Sequence, residues 1–556
     1  MTAQPGPAGD AIAYPALDDS QRARLRRYGT VRQVTGGEVL YSPANESNDL
    51  LVVLSGELVV SNDALSPSVE LARHGPGHFA GELNMLTGQR PFLTARAATG
   101  GSVLALTPAQ VREVLARETD VADILLRALI ARRRRHVSGA TPGAAVEIIG
   151  NGHSGAALAL RTFLNRNTIA YQWVDVDQAE RAADILFSVG ATSDDLPVVI
   201  TPTRVLMNAD PAALAAVLGL DRYPEHPGRY DVVIVGAGPA GLAAAVYGAS
   251  EGLDVAVLDA IAPGGQAGSS SRIENYLGFT DGISGAELTS RAAIQAQRFG
   301  ALLASPCRAD SVAVAADGGF AVGLADGASI AARTVVAASG ALVRRLPLPH
   351  WERLEGAGIF YAATDLEAGV PGSSHVFVLG GGNSAGQAAL YLARRYARVT
   401  IVVNRDSLTE SMSQYLISRV LASDRIDVTT SSEVVAVEGG DHLESVAVRN
   451  MATGAVTQAA ASGLYCFIGA QPASAWLPAQ VARDEHGFAL TDVAVPARSA
   501  AARTRLPYET TVDGMFAAGD IRAGSMKRVA AAVGEGSSVI QSVHEYLANF
   551  GDGLDQ

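Results

Sequence analysis

Three glycines spaced G-x-G-x-x-G form the first candidate site in the chain, and they follow a mostly apolar run at 231–235. The run predicts a buried strand, and the small residues after it predict a tight turn into a helix. Such a turn lets a pyrophosphate approach the backbone, where free N–H groups and the helix dipole favour an anion. The residues that we expect to line the turn are Gly236, Gly238, Pro239, Ala240 and Gly241.

An acidic residue follows at the distance that a ribose contact requires. A second predicted strand at 254–258 ends at Asp259. In a strand–helix–strand unit of this kind, an acid about 20 residues after the glycines binds a ribose hydroxyl. Strand, turn, helix and acid together predict a dinucleotide site.

A second glycine turn follows the apolar run 375–379, with alanine in the third small position, a permitted variant. The next predicted strand, 399–403, is followed by Asn404 and Arg405 instead of an acid. An acid there favours NAD, whereas an arginine accommodates the extra phosphate of NADP. We therefore expect NADPH more than NADH, although Arg405 as a plain surface charge keeps NADH open. The expected turn residues are Gly380, Gly382, Asn383, Ser384 and Ala385.

Composition excludes several classes of protein. The chain has 556 residues, which indicates three or four domains, and its net charge of −13 argues against general nucleic-acid binding. Its two cysteines, Cys307 and Cys466, exclude a disulfide framework and a C-x-x-C redox or zinc motif, and we predict no metal site. We find neither a membrane span nor a secretory signal, so we expect a cytoplasmic location without a membrane partner.

Several widely spaced motifs give residues 229–556 a resemblance to the low-molecular-weight thioredoxin reductases. Gly-Gly-Gln stands at 264–266, Glu-Asn-Tyr at 274–276 and Gly-Asp at 519–520, all in the family's order. The resemblance implies FAD at the first glycine turn, NADPH at the second and a homodimer. Beyond the first turn and Asp259, it implies flavin contacts from Gly265, Gln266, Asn275, Gly519, Asp520, Arg528, Val529 and Ala530.

The sequence departs from that family where its Cys-x-x-Cys would stand. The two positions are held by Ala362 and Asp365, and neither side chain forms a thiolate. Asp365 is a candidate catalytic proton donor near the flavin, if burial raises its pKa. The alternative is a solvated Asp that caps a helix.

The N-terminal part predicts a small antiparallel roll followed by a helix at 108–135. Residues 79–91 resemble the phosphate-binding cassette of cyclic-nucleotide-binding domains. The resemblance assigns the ribose contact to Glu82, but the position of the family's phosphate-binding Arg is Phe92, and Arg90 comes two residues early. Because an apolar ring cannot replace a two-pronged contact to phosphate, we expect weak or absent cyclic-nucleotide binding. The predicted strands are 31–34, 39–41, 50–54, 57–60 and 102–106.

The middle part alternates strands and helices between Val146 and Leu218, which predicts an α/β unit. It resembles a thioredoxin or glutaredoxin, with Pro197 at the place of that fold's cis-proline. The turn where a redox pair would stand contains His153 and Ser154 but no cysteine, so disulfide exchange is excluded there. We interpret this unit as a structural module.

The chain is therefore predicted to be a multidomain protein: an N-terminal β-roll with helices, a small thioredoxin-like α/β module and an α/β flavoprotein with two dinucleotide-binding domains. The expected function is an FAD-dependent NAD(P)H oxidoreductase whose acceptor, a small molecule or a protein, the sequence does not identify. A flavin- and NADPH-dependent sensor and a true thioredoxin-disulfide reductase remain alternatives. The predicted domains are 1–137, 146–220, 229–347 with 469–556 for FAD, and 348–468 for NAD(P)H.

Overall fold

The computed structural model describes residues 9–44, 48–63, 68–81, 91–137, 146–220, 228–315, 318–368, 375–495 and 503–550. Over these ranges the chain forms a β-roll with helices, a small mixed α/β unit and two larger α/β units. No helix in the described ranges combines the length and the apolar character needed to cross a membrane.

The first unit is a roll of two four-stranded antiparallel sheets. Its strands are β1 (Thr30–Val34), β2 (Val39–Tyr41), β3 (Leu50–Ser55), β4 (Leu58–Asn62), β5 (Val69–His74), β6 (Phe79–Ala80), β7 (Thr94–Ala97) and β8 (Gly101–Leu106). The sheet orders are β1-β8-β3-β6 and β2-β7-β4-β5. β3 is buried on both faces, because Leu51 and Val53 pack inside the roll while Leu50 and Val52 pack in a core shared with the helices.

Helices pack on one side of the roll. They are α1 (Gly9–Ala13), α2 (Asp19–Leu25), α3 (Pro108–Arg117) and α4 (Thr119–Val137). Thr107 begins α3 with a capping box to Gln110, and Pro108 stands in the first turn, where no N–H partner is lost. The single helix predicted at 108–135 is wrong, because Glu118 leaves the helical conformation, with φ −113° and ψ 75°. Its carboxylate bonds instead to Arg24 at 2.8 Å and to Tyr28 at 2.9 Å.

The middle unit is a four-stranded mixed sheet in the order β10-β9-β11-β12. Its elements are β9 (Val146–Gly150), α5 (Gly155–Arg166), β10 (Tyr171–Asp175), α6 (Ala182–Ser188), β11 (Val198–Ile200), β12 (Val205–Leu206) and α7 (Pro211–Leu218). β9 and β10 are parallel, and β11 runs antiparallel to both of its neighbours. The Leu196–Pro197 bond is cis. The thioredoxin-like interpretation of this unit stays a prediction.

The third unit is built on a seven-stranded sheet in the order β15-β14-β13-β18-β17-β16, with β29 beside β18. Its elements are β13 (Tyr230–Val235), α8 (Pro239–Ser250), β14 (Val255–Leu258), α9 (Gly285–Arg298), β15 (Leu302–Ala304), β16 (Ala309–Val314), β17 (Phe320–Leu324), β18 (Ser329–Ala337), β29 (Met515–Ala517) and α13 (Val529–Phe550). Strand β29 is separated from β18 by more than 170 residues of sequence, and these intervening residues contain the fourth unit described below. The sheet of the third unit is therefore built from two separate segments of the chain. Apolar residues of α8, α9 and α13 form the core on one face of it.

The fourth unit has a five-stranded parallel sheet in the order β20-β27-β21-β22-β23. Helices α11 and α12 pack on one face, and a three-stranded antiparallel sheet packs on the other. Strands β19 and β28 pair with each other where the chain passes between the third and fourth units. The elements are β19 (Ala341–Val343), α10 (Trp351–Leu354), β20 (Ile359–Phe360), β21 (His375–Leu379), α11 (Asn383–Leu392), β22 (Arg398–Val402), α12 (Gln414–Leu421), β23 (Ile426–Thr429), β24 (Ser432–Glu438), β25 (Ser445–Asn450), β26 (Val456–Ala460), β27 (Gly463–Cys466) and β28 (Ala470–Pro472).

Candidate functional site

The first glycine turn joins β13 to α8, and two of its glycines lie directly against backbone. Gly236 has φ +108°, and a Cβ there would meet the carbonyl group of Ala338. A Cβ on Gly241 would meet the carbonyl oxygen of Gly236. Gly238 is different, because the nearest atom to a Cβ built there is the Cα of Gly265, 3.8 Å away. The turn thus stays open at Gly238, where the first N–H groups of α8 are available to an anion.

Asp259 holds the next segment against this turn. Its Oδ2 accepts a hydrogen bond from the Ala237 N–H at 2.8 Å, and its Oδ1 accepts from Ile261 and Ala262 at 3.0 and 2.9 Å. Burial raises the pKa of this carboxyl group, and the three N–H donors act in the opposite direction. Since Oδ2 has one donor, it keeps a lone pair for the ribose hydroxyl that the sequence predicts.

The Gly519–Asp520 motif is distant in sequence but lies beside the first turn. A Cβ on Gly519 would stand 2.8 Å from the Cβ of Ala240. The Gly519 N–H donates to Oε2 of Glu535 at 2.7 Å, which fixes the motif to α13. Burial raises the pKa of Asp520, and the charge of Lys527 opposes that shift. The structure therefore brings together the two motifs that the sequence analysis expects at one flavin.

Lys527 is a residue that sequence reasoning missed. Its ammonium group donates a hydrogen bond to the backbone oxygen of Asp520 and lies 4.2 Å from the ring centroid of Phe488. Burial lowers the pKa of Lys527. The predicted contacts Arg528, Val529 and Ala530 follow it at the start of α13. The sequence motif predicts a role for these three residues, whereas only the fold shows that the preceding lysine contacts Asp520.

The remaining predicted flavin contacts lie on the segments that border the turn. Gly265 faces Gly238, and the Gln266 side chain donates to the carbonyl oxygen of Ala341. Gln266 thus ties the loop to the chain that leaves β18. Asn275 is exposed.

The second glycine turn joins β21 to α11. Gly380 has φ +132°, and a Cβ there would meet the carbonyl oxygen of Phe467, whereas no atom lies within 4 Å of a Cβ built on Gly382. The Asn383 side chain accepts a hydrogen bond from the Ser413 N–H at 2.7 Å. Ser384 is exposed and Ala385 is buried against the sheet. This turn, like the first, leaves the second glycine of its motif open at the start of a helix, and here that glycine is Gly382.

Arg405 lies beyond the carboxyl end of β22, as the sequence predicts. Its Nη1 is 2.8 Å from Oε2 of Glu410, and both side chains are about half exposed. A guanidinium at the end of this strand is placed to meet a phosphate of a dinucleotide bound at the second turn. The carboxylate of Glu410 would compete with such a phosphate for the positive charge of Arg405.

Asp365 does not have the buried surroundings that the hypothesis of a catalytic proton donor requires. Its side chain is 84% exposed and pairs with Arg395, and the Tyr391 hydroxyl donates to it at 2.7 Å. The expectation of burial beside an apolar ring is therefore wrong for this structure. Ala362, the other position of the family's dithiol, is partly buried.

Neither cysteine offers a replacement thiol. Cys307 and Cys466 are both buried and free. Burial raises the pKa of Cys307 to about 12 and also raises the pKa of Cys466. Because the thiolate is the reactive form, both side chains are inert small apolar groups in this fold.

Comparison with known proteins shows the family to which the segment with both glycine turns belongs. A family model described as pyridine nucleotide-disulphide oxidoreductase matches residues 230–536, which contain both glycine turns. The chain belongs to this family. A thioredoxin reductase of Peptoclostridium acidaminophilum is 32% identical over 328 residues, which cover 58% of this chain and 98% of that relative. The crystal structure of Lactococcus lactis thioredoxin reductase (FR conformation) matches 58% of this chain and 100% of its own, with 28% identity and a TM-score of 0.53.

The family assignment confirms an oxidoreductase that uses FAD and NADPH. Both glycine turns fit such groups, since each leaves an open glycine at a helix start, at the carboxyl end of a strand that pairs in parallel with both of its neighbours. When bound, NADPH supplies a hydride and FAD accepts it, and the chain contributes position and electrostatics.

A second family model, the cyclic nucleotide-binding domain, matches residues 31–118 and confirms that resemblance. Glu82 and Arg90 lie outside the described residues. Phe92, at the position of the family's phosphate Arg, packs against the apolar core of the middle unit with Tyr171 and Trp173. The Phe92 ring therefore contributes to the contact between the first unit and the middle unit.

The middle unit contacts both dinucleotide-binding units through α5. At the N-terminal end, Gly155 lies so close to Gly356 that a Cβ on Gly356 would stand 2.6 Å from the Gly155 Cα. Ser154 caps the helix, as an ordinary turn residue would, and the neighbouring His153 stacks on His442 at 4.5 Å between ring centroids. At the C-terminal end, the Asn167 side chain donates to the carbonyl oxygen of Ile261 at 3.3 Å.

Proposed function

We propose that this protein is an FAD-dependent NADPH oxidoreductase that delivers electrons from the reduced flavin to an acceptor without a dithiol of its own. The observation that carries the proposal is the pair Ala362 and Asp365 at the family's cysteine positions. A relay through that pair would require a disulfide that accepts two electrons and becomes two thiols, and a methyl group and a carboxylate cannot form one.

The rest of the chain supports the same conclusion. Cys307 and Cys466 are buried with raised pKa values, so neither attacks a disulfide at neutral pH. The turn before α5 holds His153 and Ser154 and no cysteine. Thioredoxin reduction requires a thiolate that forms a mixed disulfide, and the sequence offers none at either place.

The test separates flavin reduction from disulfide reduction. The purified FAD-loaded chain is mixed with NADPH without oxygen, and we expect the flavin absorbance to bleach. Added thioredoxin or a small aromatic disulfide should not reoxidise the flavin above background, whereas oxygen, quinones and protein electron carriers form the acceptor panel. Thioredoxin turnover that persists after Cys307→Ser and Cys466→Ser would contradict the proposal and favour a true thioredoxin reductase.

A sensor is the second candidate, and contacts between the units favour it. Helix α9 belongs to the third unit, which carries the first glycine turn and is called the FAD unit from here on; the fourth unit is called the NADPH unit. Ile294 of α9 packs against the first unit, and Arg298 of α9 pairs with Asp123 at 3.2 Å. A change at the first unit would therefore reach the flavin unit directly. Slow turnover with every acceptor, together with a ligand-dependent conformational change, would support this function instead.

A further inference from the structure

The last residue of α5 reaches out of the middle unit into the FAD unit. The Arg166 guanidinium donates through Nη2 to the carbonyl oxygen of Gly265. Asn167 beside it bonds to the carbonyl oxygen of Ile261, so two consecutive residues hold the two ends of the 261–265 loop. This loop is the segment that faces the first glycine turn.

Arg166 is an incompletely paired cation in that place. Its side chain is half-buried, and its Nε is shielded from solvent and has no hydrogen-bond partner. Burial lowers the pKa of the guanidinium, and the nearby charge of Asp259 acts against that shift. Asp259 is itself occupied by three backbone N–H groups and forms no hydrogen bond with Arg166. A shielded cation with an unused donor is costly unless an anion completes its environment.

The geometry places this cation beside the opening at Gly238. The Cα of Gly265 is the nearest atom to a Cβ built on Gly238, and Arg166 binds the carbonyl oxygen of that same Gly265. The start of α8 and the guanidinium are therefore both neighbours of Gly265. A pyrophosphate there is the anion that both sets of donors suit.

We propose that Arg166 is an FAD-binding residue that pairs with the pyrophosphate, so that the middle unit completes the flavin site of another domain. This inference goes beyond the proposed function, because it concerns retention of FAD and not the electron acceptor. The two can fail separately.

The experiment measures release of FAD from the purified, FAD-loaded full chain by the fluorescence of free flavin. We expect Arg166→Met to release FAD about tenfold faster or more, since a charge-assisted hydrogen bond to phosphate is lost. Release from the unchanged chain should accelerate with added salt, and this dependence should be weaker in the variant. Arg166→Lys keeps the charge but loses the two-pronged guanidinium group. Its rate of FAD release should therefore lie between those of the unchanged chain and Arg166→Met.

Two control variants separate binding of FAD from packing of the module. Arg161→Met changes an arginine on the same helix that stacks on Trp173 within the middle unit, 4.6 Å from that ring, and should release FAD at the unchanged rate. Asn167→Ala removes an uncharged contact to the same loop. The inference is overturned if Arg166→Met releases FAD at the unchanged rate. It is equally overturned if Asn167→Ala or Arg161→Met matches the effect and the salt dependence of Arg166→Met, because the role would then be packing.

Discussion

Retention of flavin is expected to depend on Asp520, which the fold places beside the first glycine turn. We expect Asp520→Ala to lower the flavin-to-protein ratio of the purified chain, because the variant loses a half-buried acceptor for the flavin's hydroxyl-bearing chain. Asp310→Ala, at an exposed position on β16 of the same unit, is the control. A fully FAD-loaded Asp520→Ala protein would count against the assignment.

Selectivity between the nicotinamide cofactors is expected to depend on Arg405. Removal of one charge-assisted hydrogen bond costs about 1.5–3 kcal/mol, so Arg405→Ala should reduce the preference for NADPH over NADH about tenfold or more. The comparison is kcat/KM with each nucleotide. Arg398→Ala, at the opposite end of β22 and paired with Asp427, should leave the ratio unchanged.

Glu410 gives an independent test of the same contact. Its carboxylate holds Arg405 at 2.8 Å and opposes a phosphate at the same place. We expect Glu410→Gln to increase the preference for NADPH, because the arginine is released and a repulsive charge disappears. Equal changes in kcat/KM for NADPH and NADH would remove the phosphate role of Arg405.

Residues with a local signature were predictable, and residues that act across the fold were not. The glycines of both turns and Asp259 could be located because their spacing follows from backbone geometry over a short stretch. Lys527 and Arg166 have no such signature, since their importance comes from Asp520 and Gly265, which are brought to them by tertiary structure. The burial expected for Asp365 was wrong for the same reason.

Elements followed the sequence pattern closely where apolar residues set the period. β21 spans His375–Leu379 and β2 spans Val39–Tyr41, both as predicted. The missed features include β5 and β7 of the roll, which are not among the predicted strands, and two further cases. β12 has only two residues, which is too short for a periodic pattern, and the break between α3 and α4 depends on side-chain contacts of Glu118 with a distant helix segment.

The first unit is expected to bind cyclic nucleotides weakly or not at all. Phe92 packs on the middle unit and offers no charge to a cyclic phosphate, so calorimetry on the full chain should show no micromolar binding of cAMP. Phe92→Leu, which keeps an apolar contact, should not change this result. Micromolar affinity in the unchanged chain would show instead that Arg90 supplies the phosphate contact.

The four units form one connected arrangement through a few contacts. The first unit touches the FAD unit at α9 and the middle unit at Phe92, and α5 of the middle unit touches both dinucleotide-binding units. Helix α5 therefore links the Gly356 region to the 261–265 loop. Motion of the NADPH unit relative to the FAD unit would have to break the contacts at one end of this helix.

Contact at the N-terminal end of α5 should depend on pH through His153. The ring stacks on His442, and Asp175 and Asp177 are the other charged groups near it. Burial and His442 lower the pKa of His153 from its ordinary value of 6.5, although the two carboxylates act in the opposite direction. The docked state therefore binds fewer protons than the undocked state, so docking is strongest above pH 6.5 and weakens as the pH falls below it.

His153→Phe tests this dependence, because phenylalanine keeps the stacking contact and cannot be protonated. Hydrogen exchange of the backbone at 154–158 and 355–358 should increase in mildly acid buffer for the unchanged chain and should stay constant for the variant, once the intrinsic pH dependence of exchange is removed. His486→Phe, at an exposed position in the loop between β28 and β29, should behave as the unchanged chain does. The same increase in His153→Phe would assign the pH dependence to another group, and a constant rate in the unchanged chain would mean that docking at this end of α5 does not involve protonation.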